Sequence, residues 1–406
     1  MRNTQEIKKF IEKWQNFHEP CSQILYDYKP ICRDLLYHDE ELVIKTLNIL
    51  KKNIKEWANI HCPIYKNRTD SITDKYLLWH KDKWYVPHLS NQAAKMKSSG
   101  STTGHQFDYL RWDPFLYFIE GTNHYDLILD EFNITKKDPH IMYFFQNQNH
   151  DKNLLVKKSN NSENFLEHHG ISRKSTIHYV NLQLQKKYED LFFKHLFDYI
   201  EKNPIDVIFS NGPQINKLCD YLKKYKYNKK LCKLLSNTNE MILKKDHTYL
   251  LGNNHVTYIC DHMRCWDGGA TFFTCIQGRY HLLDNLSWCD ELDTKLISTD
   301  YFSMPSPFVN YWNGDRCKID KEYKKCECGR LYREFTFLEN RPFAIKGNSF
   351  KEYKEKLLNC GISTIKQVVC NVNTIEINSS AELSTLEKQQ VEKIFNKQKV
   401  VYKTIK

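Results

Sequence analysis

Residues 203–222 read NPIDVIFSNGPQINKLCDYL. A buried apolar run comes first, then a turn at Gly212 and Pro213, then a helix, and this strand–turn–helix unit is a βα element of a layered α/β domain. Toward the amino terminus, IKKFIEKW and ELVIKTLNILKKNIKEW repeat apolar residues every three or four positions, which predicts packing helices over the first 60 or so residues. Residues 144–167, FFQNQNHDKNLLVKKSNNSENFLE, are polar and read as a surface excursion. From Lys351 onward come a short helix, the β-rich run IKQVVCNVNTIEI, the polar helix LSTLEKQQVEKIFNK and a last strand, KVVYKTI, which together form a small α+β domain.

The fold class is therefore α/β, with a large layered domain over residues 1–345 and a small α+β domain over 346–406. Residues 1–95 are the helical part of the large domain, and the boundary falls near Arg341 to Gly347. The full length of 406 residues suits two unequal domains, because single cores rarely grow past about 250–300 residues. Hydrophobic residues at 41% and charged residues at 27%, with 13 Gly and 11 Pro, exclude a collagen-like or linker-dominated protein. The net charge of +11 is spread along the chain as Lys pairs and favours polyanionic ligands without naming one. MRNTQEIKKFIEKWQNF has no apolar signal core, and no run approaches the ~18 apolar residues of a membrane span. The 14 cysteines are accordingly expected to be reduced, buried or metal-bound in a cytoplasmic protein.

Two landmarks carry chemistry. Lys97 to His105 reads KSSGSTTGH, in which glycines allow inward-facing amides and Ser and Thr add short donors, a loop suited to phosphate oxygens. It lacks the GK[ST] ending of a Walker loop, and by itself it is as compatible with a plain surface turn. The second landmark pairs Cys275 and His281 in CIQGRYH with Cys326 and Cys328 in CECGR. Two short pairs of soft or borderline ligands are what a closed tetrahedral zinc site requires, and four protein ligands leave no position for water, so the role is structural. Cys317 and Cys265 are the substitutes should one ligand be misassigned.

SSGSTTG resembles the phosphate loop of adenylate-forming enzymes, and FFTCIQGRYHLLDN with KKCECGRLYR is similar to the zinc segments of the phenylacetate-CoA ligase and CapK-like branch. IFSNGPQINKL, NTNEMI, Tyr311-Trp-Asn-Gly-Asp315, Arg341 and Ile345-Lys346-Gly347 follow in the family's order, so the resemblance covers about Ser98 to Gly347. It implies an ATP site from Ser98, Ser99, Gly100, Ser101, Thr102, Thr103, Gly104, Glu240, Asp315 and Arg341, with Asp315 on the ribose hydroxyls. It also implies a small, mobile carboxy-terminal domain and the cofactors ATP, Mg²⁺ and structural Zn²⁺, with CoA as one acceptor.

The sequence departs from the family in three places. The phosphate loop has an extra hydroxyl residue, and His105-Gln106 stands where a residue and then Pro are common. Asp261-His-Met-Arg-Cys265 occupies the place of Y-G-x-[ST]-E, leaving Asp261 or Asp267 as replacement carboxylates for Mg²⁺. None of Lys397, Lys399 and Lys403 sits in the usual Gly-Lys setting, so no catalytic residue is assigned. The expected activity is ATP-dependent activation of a carboxylic acid to an acyl-adenylate, releasing pyrophosphate, with transfer to a thiol (CoA or a carrier protein) or an amine. The rivals are a non-catalytic nucleotide- or acyl-binding homologue and a zinc-stapled nucleic-acid binder; the diffuse charge and the lack of finger spacing speak against nucleic acid.

Overall fold

The computed structural model describes residues 4–66, 71–73, 77, 83–86, 88–89, 93–97, 108–112, 126–144, 154–159, 175–238, 242, 244–264, 270–339, 365–370, 374–379, 382–395 and 399–404. Three helices open the chain: α1 (Thr4–Trp14), α2 (Gln23–Cys32) and α3 (Glu40–His61). Val43, Leu47, Leu50 and Ile54 form the buried stripe of α3, the three- and four-residue spacing that turns one helix face inward. The helical part is shorter than the expected residues 1–95, because β1 (Ile72–Thr73) and β2 (Ala93–Lys97) are extended. β2 pairs antiparallel with β3 (Asp108–Trp112), Lys97 opposite Asp108. The helix α4 (Asp126–Glu131) follows.

The central element is an eight-stranded sheet. Its strands are β4 (His140–Phe144), β5 (Val156–Ser159), β6 (Thr176–Val180), β7 (Val207–Asn211), β8 (Cys232–Thr238), β9 (Val256–Arg264), β10 (Thr271–Thr274) and β11 (Tyr280–Leu282), in the order β11-β10-β9-β8-β7-β4-β6-β5. The five inner strands from β9 to β6 run parallel, and β5, β10 and β11 are antiparallel additions at the two edges. The helices α5 (Leu182–Lys187), α6 (Glu189–Lys202), α7 (Gly212–Lys224) and α8 (Lys244–Gly252) connect the parallel strands. The α7 start is well determined: Asn211 accepts the Gln214 N–H at 3.1 Å as N-cap, and Pro213 sits in the first turn, where its missing N–H costs nothing.

Register sorts the two faces. Tyr143, Phe209, Ser236 and Cys260 lie side by side across β4, β7, β8 and β9, and Tyr143, Phe209 and Cys260 belong to the core that also holds α1 to α3. Met142, Ile208 and Leu235 point to the opposite face and pack with Phe193, Leu196, Ile215 and Leu218 of α6 and α7. A parallel sheet covered on both faces needs apolar residues at successive positions, which is why the 207–209 run does not alternate.

A second sheet is built from β12 (Ser287–Leu292), β13 (Lys295–Asp300), β14 (Tyr311–Ile319) and β17 (Phe335–Glu339), with β1 lying parallel to β14. Between them β15 (Lys324–Lys325) and β16 (Leu331–Tyr332) form a short hairpin. Near the carboxy terminus β18 (Ile365–Cys370), β19 (Thr374–Ser379), α9 (Thr385–Ile394) and β20 (Lys399–Thr404) make a three-stranded sheet with one helix. The β-rich run of the sequence is thus an antiparallel hairpin, and α9 opens on a capping box between Ser384 and Glu387. The expected boundary at Arg341 to Gly347 lies outside the described residues. Among the described residues no helix is long and apolar enough to cross a membrane.

Candidate metal centre and nucleotide site

Two hairpin turns of the same construction face one another. In the first, between β10 and β11, Cys275 N–H donates to Arg279 O at 2.9 Å, Gly278 N–H donates to Cys275 O at 2.8 Å, and Gly278 takes φ 72°. In the second, between β15 and β16, Cys326 N–H donates to Arg330 O at 2.8 Å, Gly329 N–H donates to Cys326 O at 2.8 Å, and Gly329 takes φ 91°. Both are C-x-x-G-R segments, residues 275–279 and 326–330, a repetition readable in the sequence but overshadowed there by the ligand spacing. Glycine occupies the fourth position because the turn demands a left-handed backbone.

The turns bring Cys275, His281, Cys326 and Cys328 together, with one donor atom from each and all four within 4.8 Å of one another. The Cys275 and Cys326 sulfurs are 3.9 Å apart, and Cys328 Sγ is 3.8 Å from His281 Nε2. A tetrahedral ion with metal–sulfur bonds of about 2.3 Å has a sulfur–sulfur edge of about 3.8 Å, so the spacing and the donor set both fit zinc. His281 stacks on Tyr332 at 4.6 Å and lies 6.0 Å from Phe273, and its Nδ1 is buried without a hydrogen-bond partner, which leaves Nε2 as the nitrogen facing the cysteines. The hydrogen bond between Cys275 and Cys328 lowers the Cys275 thiol and raises that of Cys328, with His281 adding to the first and burial to the second.

One carboxylate that the sequence reading missed touches both turns. Glu131, at the end of α4, accepts the Ile276 N–H at 3.0 Å and lies 3.0 Å from Arg330 Nη1. The Arg330 guanidinium is buried with Tyr37 and Phe273 rings 4.9 and 4.8 Å away. Nothing local marks Glu131, which stands 145 residues before its partner Ile276. Of the named substitutes, Cys317 lies in a separate apolar cluster with Cys289 and Phe335, its thiol pushed up to about 12 by burial, and Cys265 lies outside the described residues.

The nucleotide residues are placed less completely. Residues 98–104, Glu240 and Arg341 lie outside the described residues. Asp315 is buried on β14, directly after Gly314, whose φ of 96° accompanies a register shift against β13. The YWNGD segment opens β14, and the Trp312 indole donates to the Asp315 carbonyl at 3.2 Å. Asp261 sits near the carboxy end of β9, where its two oxygens accept from Asn237 Nδ2 at 2.7 Å and Tyr280 OH at 3.2 Å. Beside it, His262 Nδ1 lies 2.9 Å from Ser236 Oγ, and burial holds this imidazole down to about 3, hence neutral. Lys399 opens β20, Lys403 lies on the same strand, and Lys397 and Asp267 lie outside the described residues.

No family model and no curated protein sequence matches this chain. Solved structures do. A crystal structure of 2-hydroxyisobutyryl-CoA ligase in the postadenylation state, in complex with R3-HIB-AMP, is similar at 10% identity and a TM-score of 0.60, covering 92% of this chain and 88% of that one. An open conformation of the same ligase, in complex with 2-HIB-AMP and CoA, gives 10% identity and a TM-score of 0.57 over 96% of this chain and 93% of that one. The chain therefore has the mixed α/β fold of an adenylate-forming ligase over nearly its whole length.

Proposed function

We propose that this protein activates a carboxylic acid with ATP and passes the acyl group to a thiol or an amine, as a divergent relative of the phenylacetate-CoA ligase and CapK-like branch. The observation that carries the reading is the fold, shared over 92% of the chain with a ligase bound to an acyl-adenylate. Fold alone hosts many chemistries, so the ordered motifs from Ser98 to Arg341 are the second support. In the proposed reaction a substrate carboxylate oxygen attacks the α-phosphorus of ATP, the bond to the bridging oxygen breaks, and pyrophosphate leaves with the electron pair.

Loop residues 98–104 would donate hydrogen bonds to the phosphates, Asp315 would accept from the ribose hydroxyls, Glu240 would lie beside the adenine, and Arg341 would bring a permanent cation. Residues 346–406 would close over the acyl-adenylate for transfer, to CoA or a carrier thiol among other acceptors. Zinc held by Cys275, His281, Cys326 and Cys328 would be structural, and a reducing, cytoplasmic setting would keep those thiols available. Asp261 accepts one hydrogen bond on each oxygen, from Asn237 and Tyr280, and would keep lone pairs for Mg²⁺; no step is routed through the ion.

The departures from the family, in the place of the Mg²⁺-binding Glu and in the missing Gly-Lys setting, favour a second reading, a nucleotide- or acyl-binding homologue without turnover. AMP release from ATP and Mg²⁺ with hydroxylamine as trap, across fatty, aryl, amino and sugar acids, separates the two. AMP that depends on one acid and falls on Asp315→Ala or Arg341→Ala supports the ligase; ATP binding with no AMP from any acid favours the binding protein.

A further inference from the structure

We infer that Glu131 is the positioning residue of the metal centre, the side chain that holds the two cysteine turns at metal-binding separation; this rests on the zinc reading of the tetrad. Its carboxylate has one oxygen on each turn. Oε1 accepts the N–H of Ile276, the residue after Cys275, at 3.0 Å, and Oε2 lies 3.0 Å from Nη1 of Arg330, two residues after Cys328, as an ion pair without hydrogen-bond alignment. The side chains of Glu131 and Arg330 are 4% and 2% exposed, so water cannot substitute for either contact. A buried carboxylate or guanidinium is tolerated only while it stays paired, which makes the separation of the turns a stiff coordinate.

The charge arrangement points the same way. Three thiolates around a divalent cation carry one net negative charge, and a bare carboxylate beside them would add to it. Arg330 offsets that charge and is itself held by the aromatic faces of Tyr37 and Phe273. Tyr37 belongs to the single helical turn Leu35–Tyr37 after α2, and Asp130, next to Glu131, pairs with Arg33. Arg330 and Asp130, the partner and the neighbour of Glu131, thus tie the site to the amino-terminal segment.

The test uses the full-length chain. Zn²⁺ affinity is measured by competition with a chromophoric chelator, and site geometry by the thiolate charge-transfer and d–d bands of the Co²⁺-loaded protein. Glu131→Ala is expected to weaken Zn²⁺ by about 10–100-fold and to shift the Co²⁺ bands. Glu131→Gln, which keeps an acceptor for Ile276 but not the ion pair, is expected to fall between. A folded Glu131→Ala protein with unchanged affinity and spectrum overturns the positioning role and leaves the zinc reading intact. If the alanine variant does not fold, the glutamine variant decides, and wild-type Zn²⁺ affinity there overturns the inference. A wild-type chain that binds no Zn²⁺ overturns both.

Discussion

Arg333 reaches Asp284 with two nitrogens at once, Nε at 2.9 Å and Nη2 at 2.6 Å, in a pair whose side chains are only 3% and 1% exposed. The Tyr323 hydroxyl donates to the same carboxylate at 2.9 Å, Arg333 also donates to the Cys289 carbonyl at 2.6 Å, and the Trp288 ring lies 4.5 Å from the guanidinium. This is a second long-range tie, formed by residues just past each cysteine turn. Because removal of one partner strands the other charge in the core, Asp284→Ala is expected to lose about 3–5 kcal/mol of stability. Urea denaturation measures it, and a loss below about 1 kcal/mol, the level of an exposed pair, would show the pair to be solvated instead.

On the zinc reading proposed above, metal loss should act through the tetrad. Cys326→Ser is expected to lower bound zinc from one equivalent per chain to well below that, and to lower the melting temperature, by emission spectrometry and calorimetry. Cys317→Ser, in its separate apolar cluster, is expected to keep the full equivalent. Retention of zinc by Cys326→Ser would mean that another residue completes the site.

Acid sensitivity should come from His178 together with His262, whose imidazole burial holds lower still. Its Nδ1 lies 2.8 Å from Tyr199 OH and its Nε2 3.2 Å from His140 Nδ1, while Lys158 stands on the neighbouring edge strand β5; burial first, then His140 and Lys158, hold the imidazole down to about 4. A base with a depressed folded pKa binds fewer protons folded than unfolded, so its stabilising contribution is complete above about pH 6.5 and is lost as the pH falls toward 4. The full swing is on the order of 3 kcal/mol. His178→Gln is expected to lessen the slope of stability between pH 6.5 and 4, the His262 contribution remaining; an unchanged slope would remove His178 from the acid sensitivity.

The first cysteine turn offers a clean test of backbone cost. Gly278 has φ 72°, and no atom lies within 4 Å of the place a Cβ would take, so Gly278→Ala meets no clash and is penalised only for its left-handed conformation. About 1–2 kcal/mol of destabilisation is expected from Ala, and less from Asn, which tolerates that region. Equal losses from the two substitutions in thermal unfolding would argue against backbone strain as the cause.

Local pattern made much of the fold legible. The strand over Val207–Asn211, the helix from Gly212, the stripe of α3 and the β and α pieces after residue 365 all follow from spacing, and so did the grouping of four metal-type ligands. One miss has a local cause. β5 hid inside a polar stretch because an edge strand leaves Lys157 and Lys158 exposed. Glu131 was illegible for a different reason. Its meaning lies in a contact across the chain, and no periodicity encodes such a contact.

The sulfurs of Cys275 and Cys326 are 51 residues apart along the chain and 3.9 Å apart in space. The polypeptide between them therefore leaves a point and comes back to it, and β12, β13 and β14, with Asp315, are all drawn during that round trip. The lobe is closed at that point and anchored elsewhere by β1 on β14 and by Arg333 on Asp284. A metal ion fastening that closure through folding would remove on the order of 4 kcal/mol of unfolded-chain entropy, by the loop-length argument used for covalent cross-links.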